Sequence, residues 1–162
     1  MSLLTPTKQY CNLFSVTAEA LKEMGVAAVL LDVDNTLQEH HAGVPAAGVL
    51  EWIETVQAAG IPCCIASNSK DVRVSAFAQM VGLPYCALCA KPLPFGLRKA
   101  AKKLGVRTKD CLLIGDQIFT DVLAAKAAGM QVILLDPIKE ESGWSFRLRR
   151  RLEHRLKQKW QG

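Results

Sequence analysis

Ala27-Ala28-Val29-Leu30-Leu31-Asp32-Val33-Asp34-Asn35-Thr36 is an apolar run that ends in two carboxylates and a turn. A run of that length reads as a parallel strand buried on both faces. Its carboxyl end opens into the crevice where open α/β sheets bind ligands. Residues i and i+2 of a strand project to the same side, so the spacing predicts that Asp32 and Asp34 face one small space. Like charges that close do not both stay ionised without a cation or a shared proton between them, and a divalent metal is therefore predicted.

Working outward, strands and helices alternate. Ser15 is expected to cap a first helix that ends near Met24 at Gly25, and Asp34 to Gly43 forms a polar loop carrying His40 and His41. Pro45 opens a helix to Ala59, Ile61 to Ala66 is a second strand, and Asn68 or Ser69 caps a helix through Val81. Leu83 to Cys89 reads as a short strand leading to Lys91. Pro94 opens a helix closed by Gly105, and Cys111 to Ile114 is a fourth strand. A helix from about Phe119 to Ala128 precedes a fifth strand, Met130 to Leu135. This order predicts an α/β, three-layer, Rossmann-like fold with a mostly parallel sheet. Asp32 and Asp34, Ser67 and Asn68, Lys91, and Asp116 each follow a different strand, and right-handed crossovers bring those ends to one edge.

Phosphate-monoester hydrolysis needs a nucleophile in line with the phosphorus, a proton for the leaving oxygen, and positive charge around the equatorial oxygens. Asp32 can attack phosphorus. Asp34 can protonate the departing alkoxide and later deprotonate the hydrolytic water. Ser67 and the amide of Asn68, at a strand-to-helix turn, can donate to phosphoryl oxygens. Lys91 balances the charge of Asp32 and the phosphate. Asp116 and Asp121 add hard oxygen ligands suited to Mg²⁺.

The segments Asp32-Val33-Asp34-Asn35-Thr36-Leu37, Ser67-Asn68, Lys91-Pro92 and Gly115-Asp116 with Asp121 resemble, in order, the four motifs of the haloacid dehalogenase superfamily of phosphatases. The resemblance covers roughly residues 25 to 136. It implies Asp32 as nucleophile, Asp34 as general acid/base, Ser67 as phosphate ligand, Lys91 as charge balancer and Asp116 as metal ligand. The same resemblance implies that Asp121 lies in or near the metal shell and that the backbone carbonyl of Asp34 is a further ligand. An acid at Asp34 points to a phosphatase. The longer segments, Asp34 to Leu37, Ser67 to Val74 and Gly115 to Val122, are similar to the YqeG-like branch of subfamily IIIA, related to phosphatidylglycerophosphate phosphatases of mitochondria and plastids. That relation implies a phospholipid phosphate as substrate.

Only 32 residues separate Asp34 from Ser67, and 23 separate Ser67 from Lys91, which leaves no room for an inserted cap domain. An open site implies a large substrate or closure by a neighbouring subunit in a homo-oligomer. The catalytic domain is expected over residues 1–140, with a basic tail over 141–162. Arg147 to Lys159 holds seven Arg or Lys and a single Glu, a net +6 against +5 for the whole chain. Trp144, Leu148, Leu152, Leu156 and Trp160 recur every four residues, so the tail reads as an amphipathic helix fit to lie on an anionic membrane surface or to pack on the body. Nucleic acid is the less favoured partner. His40 and His41 lie near the predicted mouth, Arg73 reads as a surface charge, and Gln117 as a support for the site. Cys86 and Cys89 form a CxxC without the second pair that structural zinc needs. No export signal or span-length apolar stretch is legible, so a cytoplasmic protein with reduced thiols, peripheral on the membrane if at all, is expected. Two rivals remain open at this level: a soluble sugar, nucleotide or polynucleotide-end phosphatase closed by oligomerisation, and a non-catalytic module that docks through its tail.

Overall fold

The computed structural model describes residues 2–139 and 143–161. The short apolar runs form the middle of a sheet because both of their faces are covered: β2 (Ala28–Leu31), β3 (Cys63–Ala66) and β5 (Cys111–Gly115) are buried at every position. With β1 (Lys8–Tyr10), β4 (Tyr85–Cys86) and β6 (Gln131–Leu135) they make six strands in the order β1-β6-β5-β2-β3-β4, every neighbouring pair parallel.

Alternation along each strand divides the core in two. Val29, Leu31, Ile65, Leu112 and Ile114 pack with residues of α1 (Ala18–Glu23), α2 (Val49–Ala58) and α3 (Asp71–Val81). Ala28, Leu30, Cys64, Leu113 and Val132 point the other way, onto α4 (Phe95–Lys103) and α5 (Leu123–Ala128), with Leu156 and Trp160 of α6 (Trp144–Gln161) packed against that cluster. The α/β three-layer, mostly parallel architecture is thus the predicted one. Asp34 to Ser67 and Ser67 to Lys91 hold one helix each, with no inserted domain among the described residues. Among the described residues, no helix is long and apolar enough to cross a membrane.

Several boundaries differ for physical reasons. β1 was not expected, because Lys8-Gln9-Tyr10 is a polar edge strand ordered by its ladder to Ile133–Leu135. The first helix is capped by Thr17, whose Oγ1 accepts from Ala20 N at 3.1 Å, while Ser15 closes a preceding 3₁₀ turn. α2 begins at Val49, after Gly48 at φ +87°. A side chain on Gly48 would also meet the Phe14 ring at 2.9 Å. α3 starts after Lys70 without a side-chain cap, since Asn68 is used elsewhere. The expected boundary between residues 140 and 141 lies outside the described residues. Cys86 and Cys89 are buried free thiols in the second core cluster, and no third His, Cys, Asp or Glu among the described residues completes a metal group with them.

Candidate active site

β2 ends at Leu31, so Asp32 and Asp34 lie just past the strand, where the two-residue period no longer holds. Asn35, at φ 58°, turns the chain sharply, a conformation Asn tolerates better than most residues. The two carboxyls consequently enter different surroundings. Asp32 Oδ1 accepts from Lys91 Nζ at 2.8 Å. Asp34 Oδ1 accepts from Gln38 Nε2 at 2.9 Å, His41 N at 3.1 Å and Arg73 Nη2 at 3.2 Å. The like charges that crowd Asp32 come from elsewhere in the chain: ligand atoms of Asp32, Asp116 and Asp121 lie within 4.8 Å of one another, all three residues buried. Asp34's carboxylate is not in that group. The expectation that Asp32 and Asp34 share one space is thereby corrected, while the inference that crowded carboxylates need a cation passes to the trio.

Lys91 holds two members of the trio together. Its Nζ reaches Asp121 Oδ1 at 2.7 Å as well as Asp32, and donates to Ala66 O at 3.1 Å. Burial works against its charge, but Asp121 and Asp32 outweigh that and raise its pKa above the ordinary lysine value. The segment bearing Lys91 is fixed by Asn68, whose Nδ2 donates to Lys91 O at 2.9 Å and whose Oδ1 accepts from Lys91 N at 2.8 Å. Ser67, 3 % exposed at the end of β3, accepts at Oγ from Ser69 N at 3.1 Å. Asp121 sits in a π-helical turn, Ile118–Val122, and its Oδ2 accepts from Gln117 N at 3.1 Å. The turn can close this tightly only beside glycine, because a Cβ on Gly115 would collide with the Asp121 carboxyl.

The electrostatics differ across the site. Burial, with the charge of Asp121 added and Lys91 opposing, pushes the Asp32 carboxyl up to about 6. Burial and the charges of Asp32 and Asp121 raise Asp116 well above the usual carboxylate range, with Arg150 opposing. At Asp34 burial acts upward, yet the His41 amide, Gln38 and Arg73 outweigh it and hold the carboxyl below its usual value. Asp116 Oδ1 is buried and has no hydrogen-bond partner among the described residues. A buried carboxylate oxygen without a donor, beside two further carboxylates, is the donor set of a hard divalent cation, so the residues fit the metal that the sequence implied.

Sequence reasoning missed or undervalued several neighbours. Arg73 is a partner of Asp34 rather than a surface charge, and also donates to Ser69 Oγ at 3.2 Å. Gln38 shares Asp34. The spacing that revealed them was available: Gln38 stands four residues after Asp34, and Arg73 lies on the first turn of α3. Arg150 of α6 pairs with Asp116 Oδ2 at 2.6 Å, and no local periodicity signals that contact. Gln117 accepts from Thr120 and from Arg149 Nη1, which fits its expected supporting place. His40 stacks edge-on with His41 and Phe146. Beside Asp34 a cleft of about 190 Å³ opens, with Val33, Val72, Val74 and Phe77 on its apolar wall.

The sequence pattern of haloacid dehalogenase-like hydrolases matches residues 8–129. The Bacillus subtilis (strain 168) protein named "Probable phosphatase YqeG" is 34 % identical over 145 residues, which is 90 % of this chain and 84 % of that protein. Phosphatidylglycerophosphate phosphatase 1, chloroplastic/mitochondrial, of Arabidopsis thaliana is 26 % identical over 88 % of this chain, and a phosphoglycolate phosphatase of Xylella fastidiosa (strain 9a5c) is 29 % identical over 72 %. The match spans 44 % and 57 % of those two longer proteins, respectively. Among solved structures, CbbY of Rhodobacter sphaeroides in complex with phosphate superposes with a TM-score of 0.56 at 16 % identity, covering 72 % of this chain and 90 % of that one, a likeness of fold.

Proposed function

We propose, from the premise that this chain belongs to the haloacid dehalogenase-like hydrolase family and is a phosphatase, that it is a Mg²⁺-dependent phosphomonoester hydrolase working through an aspartyl-phosphate on Asp32. One observation carries the reading: ligand atoms of three buried carboxylates, Asp32, Asp116 and Asp121, lie within 4.8 Å of one another, Lys91 bridging Asp32 and Asp121, and one Asp116 oxygen has no partner among the described residues.

In this reading Asp32 attacks phosphorus with one carboxylate oxygen. The new O–P bond forms as the bond to the leaving oxygen breaks, and that oxygen takes a proton from Asp34. A water then attacks the same phosphorus and gives its proton to Asp34, which releases inorganic phosphate and restores the Asp32 carboxylate. Lys91 offsets the charge of Asp32 and the phosphoryl group. Ser67 Oγ and the backbone amide of Asn68 hold the equatorial oxygens, the Asn68 side chain being committed to Lys91. Asp32, Asp116, Asp121 and the Asp34 carbonyl would hold Mg²⁺, whose contribution when bound is to neutralise carboxylate and phosphate charge. Gln38, His41 N and Arg73 hold the Asp34 carboxylate in place through both half-reactions.

The leading substrate is a phospholipid phosphate such as phosphatidylglycerophosphate. The Arabidopsis relative's name, the site without a cap and the apolar wall beside Asp34 support it. So does α6. Trp144, Leu148 and Leu152 are 77 %, 50 % and 45 % exposed, flanked by the exposed Arg147 and Arg151, a face suited to an anionic lipid surface. The stripe does not remain on that face. Steps of four residues drift about 40° each on a helix of 3.6 residues per turn, so Leu156 and Trp160 turn onto the core instead. The phosphoglycolate phosphatase relatives favour a second reading, a small soluble phosphate ester, with oligomerisation closing the open site.

A phosphate-release screen with added Mg²⁺ over phosphatidylglycerophosphate, sugar phosphates and nucleotides separates these. The lipid phosphate is expected to be turned over best, and a preference for a soluble ester would overturn the substrate reading. Chelation is expected to lower turnover by about 10³-fold, restored by Mg²⁺, since a metal supplies several kcal/mol of charge stabilisation. Changing Trp144, Leu148 and Leu152 together to Ser is expected to weaken binding to phosphatidylglycerol vesicles and to spare hydrolysis of an aryl phosphate. Unchanged vesicle binding would remove the membrane contact.

A further inference from the structure

The C-terminal helix reaches into the carboxylate cluster from outside the matched motifs. Arg150 Nη2 donates to Asp116 Oδ2 at 2.6 Å, and its Nη1 donates to the backbone carbonyl of the same residue at 2.8 Å. Nη1 also meets Glu153 Oε2 at 2.9 Å, while Glu153 Oε1 accepts from Ile118 N at 2.9 Å. Glu153 is 2 % exposed, an unusual burial for a carboxylate and here the single acid among the seven Arg and Lys of 147–159. The pair therefore grips the Asp116-Gln117-Ile118 turn at both ends, by the carbonyl of the first residue and the amide of the third.

We infer that Arg150, locked by Glu153, is a positioning residue that presents Asp116 Oδ1 to the metal. The inference rests on the reading of Asp116 as a ligand. Arg150 occupies Oδ2 and the carbonyl, which fixes the carboxyl plane, and the oxygen left over is the buried one without a partner. Two effects of opposite sign compete. A guanidinium near a divalent cation repels it, which would make removal of Arg150 tighten metal binding. Against this, Arg150 sits in contact with Glu153, so the pair adds little net charge and acts mainly through its hydrogen bonds. Orientation then decides the sign: without the clamp, Asp116 rotates and the ligand set loses a member. Partners that orient a metal's ligands typically contribute about 10- to 100-fold in metal affinity. The planar fork of arginine reaches carboxylate and carbonyl at once, which a lysine ammonium does less well.

The test is Mn²⁺ titration of the 162-residue chain, followed by the electron paramagnetic resonance signal of the free ion, without substrate. Arg150→Met and Glu153→Gln are expected to weaken Mn²⁺ binding by about 10-fold or more, with Arg150→Lys between them and wild type. The control is Lys157→Ala, which removes a different tie of α6, to Asp136 at 2.9 Å, and is expected to leave Mn²⁺ affinity unchanged. Thermal midpoints in chelator check that each variant is folded, and Arg150→Lys carries the comparison if Arg150→Met is not. Wild-type affinity in folded Arg150 and Glu153 variants would overturn the inference and leave the metal-site reading intact. The same loss in Lys157→Ala would show general loosening of the helix and also overturn it. Failure of wild type itself to bind Mn²⁺, with Asp116→Asn no different, would remove the metal-site reading and the inference together.

Discussion

Asp32 and Asp34 are two residues apart and have opposite environments. Asp32 is buried among carboxylates, with Lys91 as its cation, and its carboxyl is pushed up to about 6. Asp34 is half-buried, outside that cluster, and held below the usual carboxylate range by one amide and two side chains. Taken alone this is the reverse of what the chemistry asks, since the nucleophile must be ionised and the general acid must carry a proton. In the proposed mechanism a bound charge reconciles the two: a divalent cation held by the cluster would oppose such shifts and favour the anionic form of Asp32. Asp34, by contrast, is held toward its base form, which suits the second half-reaction of the proposed mechanism, in which it takes a proton from water.

The sharpest way to break this contrast is to remove each acid. Asp32→Asn is expected to lower phosphate release by on the order of 10⁶, the scale of losing a covalent nucleophile, with the fold intact. Asp34→Asn should cost roughly 10²- to 10⁴-fold with an alkyl phosphate and less with an aryl phosphate, whose leaving oxygen needs no proton. Equal losses in kcat/KM on both esters would deny Asp34 its leaving-group role, because kcat/KM reports the transfer to Asp32 and excludes the hydrolysis common to both. A smaller effect belongs to Arg73. Its side chain is 38 % exposed, so its pair with Asp34 is worth about 0.5–1 kcal/mol after solvent screening. Arg73→Ala should therefore reduce kcat/KM only about 2- to 5-fold, and a loss as large as that of Asp34→Asn would make Arg73 a direct substrate ligand.

The contrast also marks how far the sequence could be read. The central strands were legible because a strand buried on both faces must be apolar throughout, as Ala28 to Leu31 and Cys111 to Ile114 are. The converging strand ends followed from topology. The split between Asp32 and Asp34 was not legible, because the strand stops at Leu31 and the rule of alternation stops with it. β1 escaped for the opposite reason to the central strands: its residues are polar, and only pairing with β6 orders them. Arg150 escaped because a contact spanning 34 residues leaves no periodic trace. Its one signal was Glu153, the single acid among seven basic residues. The cysteines give the smallest predicted effect, on reactivity rather than turnover. Burial pushes Cys63 and Cys64 up to about 12 and Cys89 and Cys111 up to about 11, while Cys11 is exposed. A thiol reagent at pH ~8 should therefore modify Cys11 in the native protein and reach the others only on unfolding. Rapid native modification at Cys63 or Cys64 would contradict the packing of β3.

The most direct test of the central claim is to stop turnover with acid while substrate and Mg²⁺ are saturating and to locate any covalently bound phosphoryl group by peptide mass mapping. The account predicts the group on the peptide carrying Asp32, bound through its carboxyl, and none in Asp32→Asn. A phosphoryl group mapped to Asp34, Asp116 or Asp121, or full turnover by Asp32→Asn, would contradict it.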